Sequence, residues 1–389
     1  MSAFSRFLEP PRLRTLTGDQ DDDRRATWLE LFFDLVFVAV VGQLANGLSA
    51  DPIPVRFFEF AGLFVPVWWA WSGFTFYANR FDTDDLPYRL LTLLAMFGVA
   101  VLATTVPGVF RGATAAFPAA YVGVRSVLLV LYIRARRHVP EARKLATTFL
   151  VAFGAGAAVW LVSIAVARPW NYVLWGVALV CELSAPLLAW RQIPSAPIDP
   201  RHVPERFGLL TLIVLGESVL GVVLGAERVS WVAGSTAAAA TGFLVAASLW
   251  WIYFDFLAET PISGGGILSG LTYVYMHFFI FVGLAALGAG VKIAILAGGG
   301  DHRYDGTAWV ACAGLALTMV GLAAIEFADT QQVFGVDFSL RVATAVFALV
   351  LLAFDLSPVA VVVLLAGALV AQVVFELARH EEHTRPAEI

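Results

Sequence analysis

The stretch ATWLELFFDLVFVAVVGQL, residues 26–44, decides the fold class. It is long and apolar enough to cross about 30 Å of hydrocarbon as a helix. Yet it carries Glu30, Asp34 and Gln43, groups that lipid penalises. Runs of the same character recur along all 389 residues, which are 59% hydrophobic and 14% charged. Mean hydropathy is +0.79. A soluble domain is about a quarter charged, so this chain has too little polar sequence to cover a water-facing surface. It reads as an all-α, polytopic membrane helical bundle.

Apolar runs separated by Pro, Gly and charge predict about twelve transmembrane helices. Their limits are 29–49, 57–78, 88–109, 115–136, 145–167, 171–190, 207–226, 231–257, 270–297, 306–328, 338–354 and 357–378. With both termini cytoplasmic, 18 of the 25 Lys and Arg fall on the inner side and six on the outer, while Arg125 lies within a span. Positive charge collects on the cytoplasmic face, so this count predicts an N-in, C-in, multi-pass protein of the plasma membrane. The polar first 25 residues contain no early apolar core, so no cleavable signal peptide is expected. Cys181 and Cys312 both fall inside predicted spans, which points away from a disulfide framework or a zinc site.

A weak internal repeat divides the chain. Glu30–Leu35 opens the first span and Glu205–Leu210 the seventh; Trp68-Trp69-Ala70-Trp71 is matched by Trp250-Trp251-Ile252-Tyr253; Tyr88 to Gly98 is matched by Tyr273 to Gly283. Offsets of 175, 182 and 185 residues fit two parallel six-helix repeats about an axis along the membrane normal. The expected organisation is a polar tail 1–27, a first half 28–191, a linker 192–205, a second half 206–378 and a tail 379–389.

An ionisable side chain in hydrocarbon costs about 2.5–3.5 kcal/mol on insertion scales, so each one needs a partner or a wet cavity. Glu30 and Asp34 are four apart and share one helix face, while Gln43 points about 220° away from Glu30. Such a pair can bind a cation, exchange a proton or receive an arginine; Glu30, nearer the helix start, can equally serve as a cap. Arg125, midway along its span, can form a bidentate pair with an Asp or Glu that holds helices together, or can serve a substrate anion or a gate. In Leu215-Gly216-Glu217-Ser218 a carboxylate and a hydroxyl stand beside a glycine that permits close helix approach or a local break. His277 suits proton relay or a satisfied core position. The tryptophan runs can form a cage for a cation, although interfacial belts and packing explain them as well.

The segment Asn79-Arg80-Phe81-Asp82-Thr83-Asp84-Asp85 places three carboxylates at a cytoplasmic helix junction. Asp82, Asp84 and Asp85 can hold Mg²⁺ against a diphosphate, because hard oxygen ligands suit that ion. The alternative is that Asp84 or Asp85 caps the third helix, with Pro87 in its first turn. No Walker loop, nucleophile elbow or HExxH motif is present, and nothing in the sequence supports nucleic-acid binding.

Three ordered segments resemble the low temperature requirement A (LtrA) family of bacterial membrane proteins. They are WLELFFDLVFV from Trp28, WWAWSGFTFYANRFDTDD from Trp68 and HVPERFGLLTLIVLGESV from His202. The resemblance spans nearly the whole chain and implies a bacterial membrane location, but no particular activity. A fainter likeness, to a potassium-channel family built from two six-helix repeats, rests on Arg25…Phe33-Asp34, with Phe32-Phe33-Asp34 standing where that family has F-S-D.

The expectation is a transporter or ion-conducting protein with an acidic intramembrane pathway. Asp34 and Glu217 line it, Glu30 and Ser218 flank them, and Arg125 and His277 adjust their charge; the partners are the lipid bilayer and a small ion or molecule. One competing reading is a membrane-embedded Mg²⁺-dependent enzyme acting on a lipid or prenyl diphosphate. Another is a non-catalytic membrane protein that supports growth in the cold.

Overall fold

The computed structural model describes residues 10–14, 26–82, 85–199, 202–256, 266–304, 306–330 and 335–384. Most of the expected 1–27 tail, Arg25 included, and residues 385–389 lie outside them. Twelve helices of fourteen residues or more follow in order: α1 (Trp28–Ala50), α2 (Pro54–Arg80), α3 (Leu86–Phe110), α4 (Ala116–His138), α5 (Arg143–Ile164), α6 (Trp170–Leu183), α7 (His202–Ala226), α8 (Ala233–Phe256), α9 (Gly266–Gly298), α10 (Trp309–Thr330), α11 (Val336–Val350) and α12 (Pro358–Thr384). Eleven spans are long and apolar enough to cross a membrane, α6 counting together with the turn that follows it. The other helix is α2, which is rich in tryptophan and carries Arg56, Glu59 and Arg80. Large apolar side chains such as Phe58 and Leu268 are about three-quarters exposed, as lipid contact requires and water does not permit on this scale. The protein is a multi-pass helical membrane protein.

Several boundaries have local causes. Asp85 caps α3 by accepting from the Tyr88 N–H, with Pro87 in the first turn, where its missing N–H costs nothing. The expected sixth span, 171–190, breaks at Ser184 and resumes as the single turn Ala185–Leu188. Pro186 explains the break, since it has no N–H to donate to the carbonyl one turn back. The eleventh helix ends at Val350 and tightens into a 3₁₀ turn over Leu351–Ala353. The last helix runs through Thr384, into the expected C-terminal tail. One short antiparallel ladder joins Arg12–Leu13 to Phe81–Asp82.

The chain divides into two compact units: Met1–Leu44 with Glu59–Leu209, and Ala45–Phe58 with Leu210–Ile389. The dividing points fall inside α1, α2 and α7. In the first unit, α3 to α6 pack each against the next. Aromatic rings fill the seams; Tyr132 stacks on Phe149 at 5.2 Å and meets Tyr77 edge-on at 5.3 Å.

In the second unit α9 is almost wholly buried and packs against α8, α10 and α12. Glycine allows the α9–α10 approach: a Cβ on Gly314 would lie 2.5 Å from the Leu287 nitrogen, and one on Gly283 would lie 2.6 Å from the Gly314 carbonyl oxygen. In lipid, where association depends on close contact, such small-residue seams hold helices together.

Candidate functional site

The start of α1 is built by Thr27 and Glu30. The Thr27 N–H donates to Glu30 Oε2 at 2.8 Å, and the Glu30 N–H donates back to Thr27 Oγ1 at 3.3 Å. This reciprocal capping box satisfies two donors that the first helical turn leaves open. The other oxygen of Glu30 faces α7, where Oε1 lies 3.3 Å from Arg206 Nη1 and 3.6 Å from His202 Nε2.

Asp34, one turn deeper, is fully buried. The Trp71 indole N–H donates to its Oδ1 at 2.7 Å. Arg206 grips both oxygens, Nη2 to Oδ1 at 2.5 Å and Nε to Oδ2 at 3.1 Å. A side-on guanidinium with two parallel bonds is the geometry in which a buried carboxylate is best compensated. His202 Nδ1 meets Glu205 Oε2 at 3.1 Å, and Glu205 Oε1 accepts from the Ala26 N–H at 2.8 Å. The Trp71 ring stands edge-on to Phe207 at 4.9 Å. Asp34 is thus held by a charge on α7 and a dipole on α2.

Arg125, expected to adjust the charge of Asp34 and Glu217, is engaged elsewhere. Its Nη2 lies 2.6 Å from Glu182 Oε2, and its Nε donates to the Tyr121 hydroxyl at 2.8 Å. That hydroxyl donates in turn to Glu182 Oε2 at 2.7 Å. Arg125 and Glu182 are fully buried, and the guanidinium lies 4.8 Å from the Phe153 ring centre. Two glycines make room: a Cβ on Gly73 would meet Arg125 Nη1 at 2.8 Å, and one on Gly156 would meet Glu182 Cγ at 2.5 Å.

Glu217 has different surroundings. The helix that carries it begins five residues before the expected limit, so Glu217 sits nine residues from the C-terminal end of α7, roughly 14 Å at 1.5 Å per residue. It lines a narrow cavity with Ala45, Asn46, Ser218, Gly221, Gly288 and Lys292. The space open to a water's centre is about 10 Å³, on the scale of a single water. Lys292 Nζ donates to Asn46 Oδ1 at 2.6 Å. Among the described residues Glu217 accepts no hydrogen bond and closes no ion pair. Ser218 shares its hydroxyl between the Val214 and Leu284 carbonyls, at 3.4 and 3.3 Å.

His277 is held on both sides. Its Nδ1 meets the Tyr273 carbonyl at 2.7 Å, so Nδ1 carries the proton, and Nε2 accepts from the Tyr253 hydroxyl at 2.8 Å. At the α2–α3 junction Asp85 accepts from the Tyr88 N–H and pairs with Arg134. Asp82 contributes its backbone to the short ladder; its side chain, and all of Asp84, lie outside the described residues. Among those residues no group of three His, Cys, Asp or Glu is arranged to hold a metal.

Residues 25–375 match the bacterial low temperature requirement A protein (LtrA) family. The chain belongs to the LtrA family. It is also similar to Uncharacterized protein RA0937 of Rhizobium meliloti (strain 1021), 31% identical over 254 residues. That alignment covers 61% of this chain and 60% of the relative.

The three segments that carry the LtrA resemblance meet at Asp34: the first supplies Asp34 and Glu30, the second Trp71, the third Arg206 and His202. Arg206 and Lys292 are not among the site residues expected from the sequence; Trp71 is expected only as part of a tryptophan run and Glu182 only as an ionisable group within a span. The signal for Arg206 is Pro204, which suits a helix's first turn and so starts α7 ahead of residue 207. Lys292 falls inside the predicted ninth span, although the orientation count places it with the outer positive charges. Glu182 is the one carboxylate in the sixth span. Nothing in the sequence singles out Trp71 from its neighbours Trp68 and Trp69.

Proposed function

We propose that this LtrA-family protein transports or conducts a small ion, with Glu217 as the carboxylate the ion meets. The observation that carries this reading is the Glu217 cavity: a buried carboxylate with no hydrogen bond among the described residues, facing water-sized space and a second charge. Structural carboxylates in lipid are matched by partners, and this one is left with room beside it.

Asp34 belongs to the same reading in another role, as the charge-balanced hinge of α1, α2 and the start of α7. Glu30 and His202 frame it, Arg125 with Glu182 fixes the packing of α4 to α6, and His277 anchors α8 to α9. The reading includes a plasma-membrane location with both termini cytoplasmic, as the distribution of Lys and Arg supports. It also includes two parallel six-helix repeats. In support, His202-x-x-Glu205 stands 175 residues after Thr27-x-x-Glu30, and each pair is bonded within itself. A Mg²⁺-dependent lipid-diphosphate chemistry gains no comparable support, since Asp85 is committed to its cap and to Arg134.

The test is ion flux in liposomes holding the purified protein. Cation or proton flux is expected for the wild type, falling at least tenfold in Glu217→Gln. Equal flux in the variant overturns the role of Glu217, and absence of flux in the wild type overturns the transport reading.

A further inference from the structure

The Glu217 cavity also contains Lys292, and the pairing has a consequence for coupling. We infer that Lys292 is the resident counter-cation of Glu217 and that a small monovalent cation and the Lys292 proton occupy the cavity in turn, making the protein a cation/proton exchanger. The inference rests on Glu217 being the pathway carboxylate.

The cavity is on the scale of one water, so a bare inorganic cation fits beside Glu217 only a few ångströms from the Lys292 ammonium. Charge balance restricts occupancy further. The charged groups facing Lys292 are Glu217 on α7 and Arg228, exposed just past the end of that helix. Asn46 is neutral, and Ala45, Gly221, Leu224, Ala285, Gly288 and Ala289 bring no charge. Within the cavity one ammonium already stands against one carboxylate. A second cation in so small a space is strongly disfavoured unless a positive charge leaves, and the ammonium can shed its proton.

Lys292 is held by a neutral partner. Its bond runs to the Asn46 amide oxygen at 2.6 Å and not to Glu217. An amine that loses its proton still donates to that oxygen, so the side chain stays in place in either state. The cation meanwhile has hard oxygen donors at hand in the Glu217 carboxylate and the Asn46 amide. The Gly288 carbonyl adds a third beside the α7–α9 crossing, its oxygen 3.3 Å from where a Gly221 Cβ would stand.

The step balances. One cation binds the Glu217 carboxylate, and one Nζ–H proton passes to water, leaving a neutral amine on Asn46. In the reverse step the proton returns to Nζ and the cation leaves. The net event is one monovalent cation exchanged for one proton, with no charge moved across the membrane.

The full-length protein in liposomes, loaded with a pH-reporting dye, tests this with pulses of sodium, potassium or lithium chloride at clamped membrane potential. The wild type is expected to move protons against the incoming cation, at a rate insensitive to the potential. Glu217→Gln is expected to lose both cation uptake and the pH change. Lys292→Met is expected to take up cation with the pH response reduced at least tenfold, and uptake then becomes potential-driven. Cation uptake by the wild type that depends on Glu217 but moves no protons overturns the exchange while leaving Glu217 its pathway role. Proton counterflow persisting in Lys292→Met also overturns it. Absence of any cation uptake by the wild type overturns the transport reading itself. The wild-type measurement needs no variant, so the outcome does not hang on how Lys292→Met folds.

Discussion

Asp34 and Glu217 are both carboxylates on long apolar helices, and their surroundings are opposite. Asp34 has a bidentate arginine and an indole N–H, with both oxygens bonded. Glu217 has no hydrogen bond among the described residues, a cavity, and a lysine bonded to something else. A carboxylate that lipid would penalise can be compensated permanently or left to find compensation from a mobile ion. The first gives a rigid joint and the second a site. The difference comes from what other helices present, not from the carboxylates themselves.

Substitutions at these and other positions rank on one scale of stability. Arg206→Ala should cost most, about 3–5 kcal/mol, because it strands Asp34 as an uncompensated buried charge. Thermal unfolding in detergent reads this, and adding Asp34→Asn to that variant should recover part of the loss. An Arg206→Ala protein as stable as the wild type would show that Asp34 is not held by the pair. Gly314→Val should cost about 1–3 kcal/mol through overpacking against the Leu287 backbone, measured the same way. Trp71→Phe deletes the N–H bond and leaves a gap where the larger indole was packed, so a loss of at least about 1.5–3 kcal/mol is expected, the part due to a hydrogen bond to a charged group. Thr27→Ala removes half of the capping box and should cost about 1 kcal/mol. Glu217→Gln should lie at the bottom, within about 0.5 kcal/mol of wild type as for a substitution that breaks no packing or bond, while flux is lost. A large stability loss in that variant would move Glu217 into the same class as Asp34.

Much of the fold is legible in the sequence because lipid imposes a simple rule. Backbone groups must be satisfied within each segment, so every apolar run of sufficient length is a helix. The predicted limits track α1 to α12 with shifts of a few residues, except where Pro186 breaks α6, where α7 starts at His202 and where α12 runs on to Thr384. The ionisable positions are legible too, since a charge in a hydrophobic run is conspicuous. Their partners are not. Asp34 and Arg206 are 172 residues apart, and Glu217 and Lys292 are 75 apart; no periodicity links such positions. Arg125 announces its need for a carboxylate, but Glu182 can be chosen only once α4 and α6 are seen to present their side chains to each other across Gly156.

Hydropathy and local motifs are properties of short segments, so one dimension suffices to read them. They establish a helical, multi-pass membrane protein of the LtrA type, and they mark Glu30, Asp34, Arg125, Glu217 and His277 as costly residues in search of compensation. Which of these charges are matched, and which is left facing space, is settled by packing in three dimensions. Compensation in a low-dielectric interior depends on distances of a few ångströms between helices far apart in the chain. Those distances place Asp34 on Arg206 and leave Glu217 beside a lysine it does not touch.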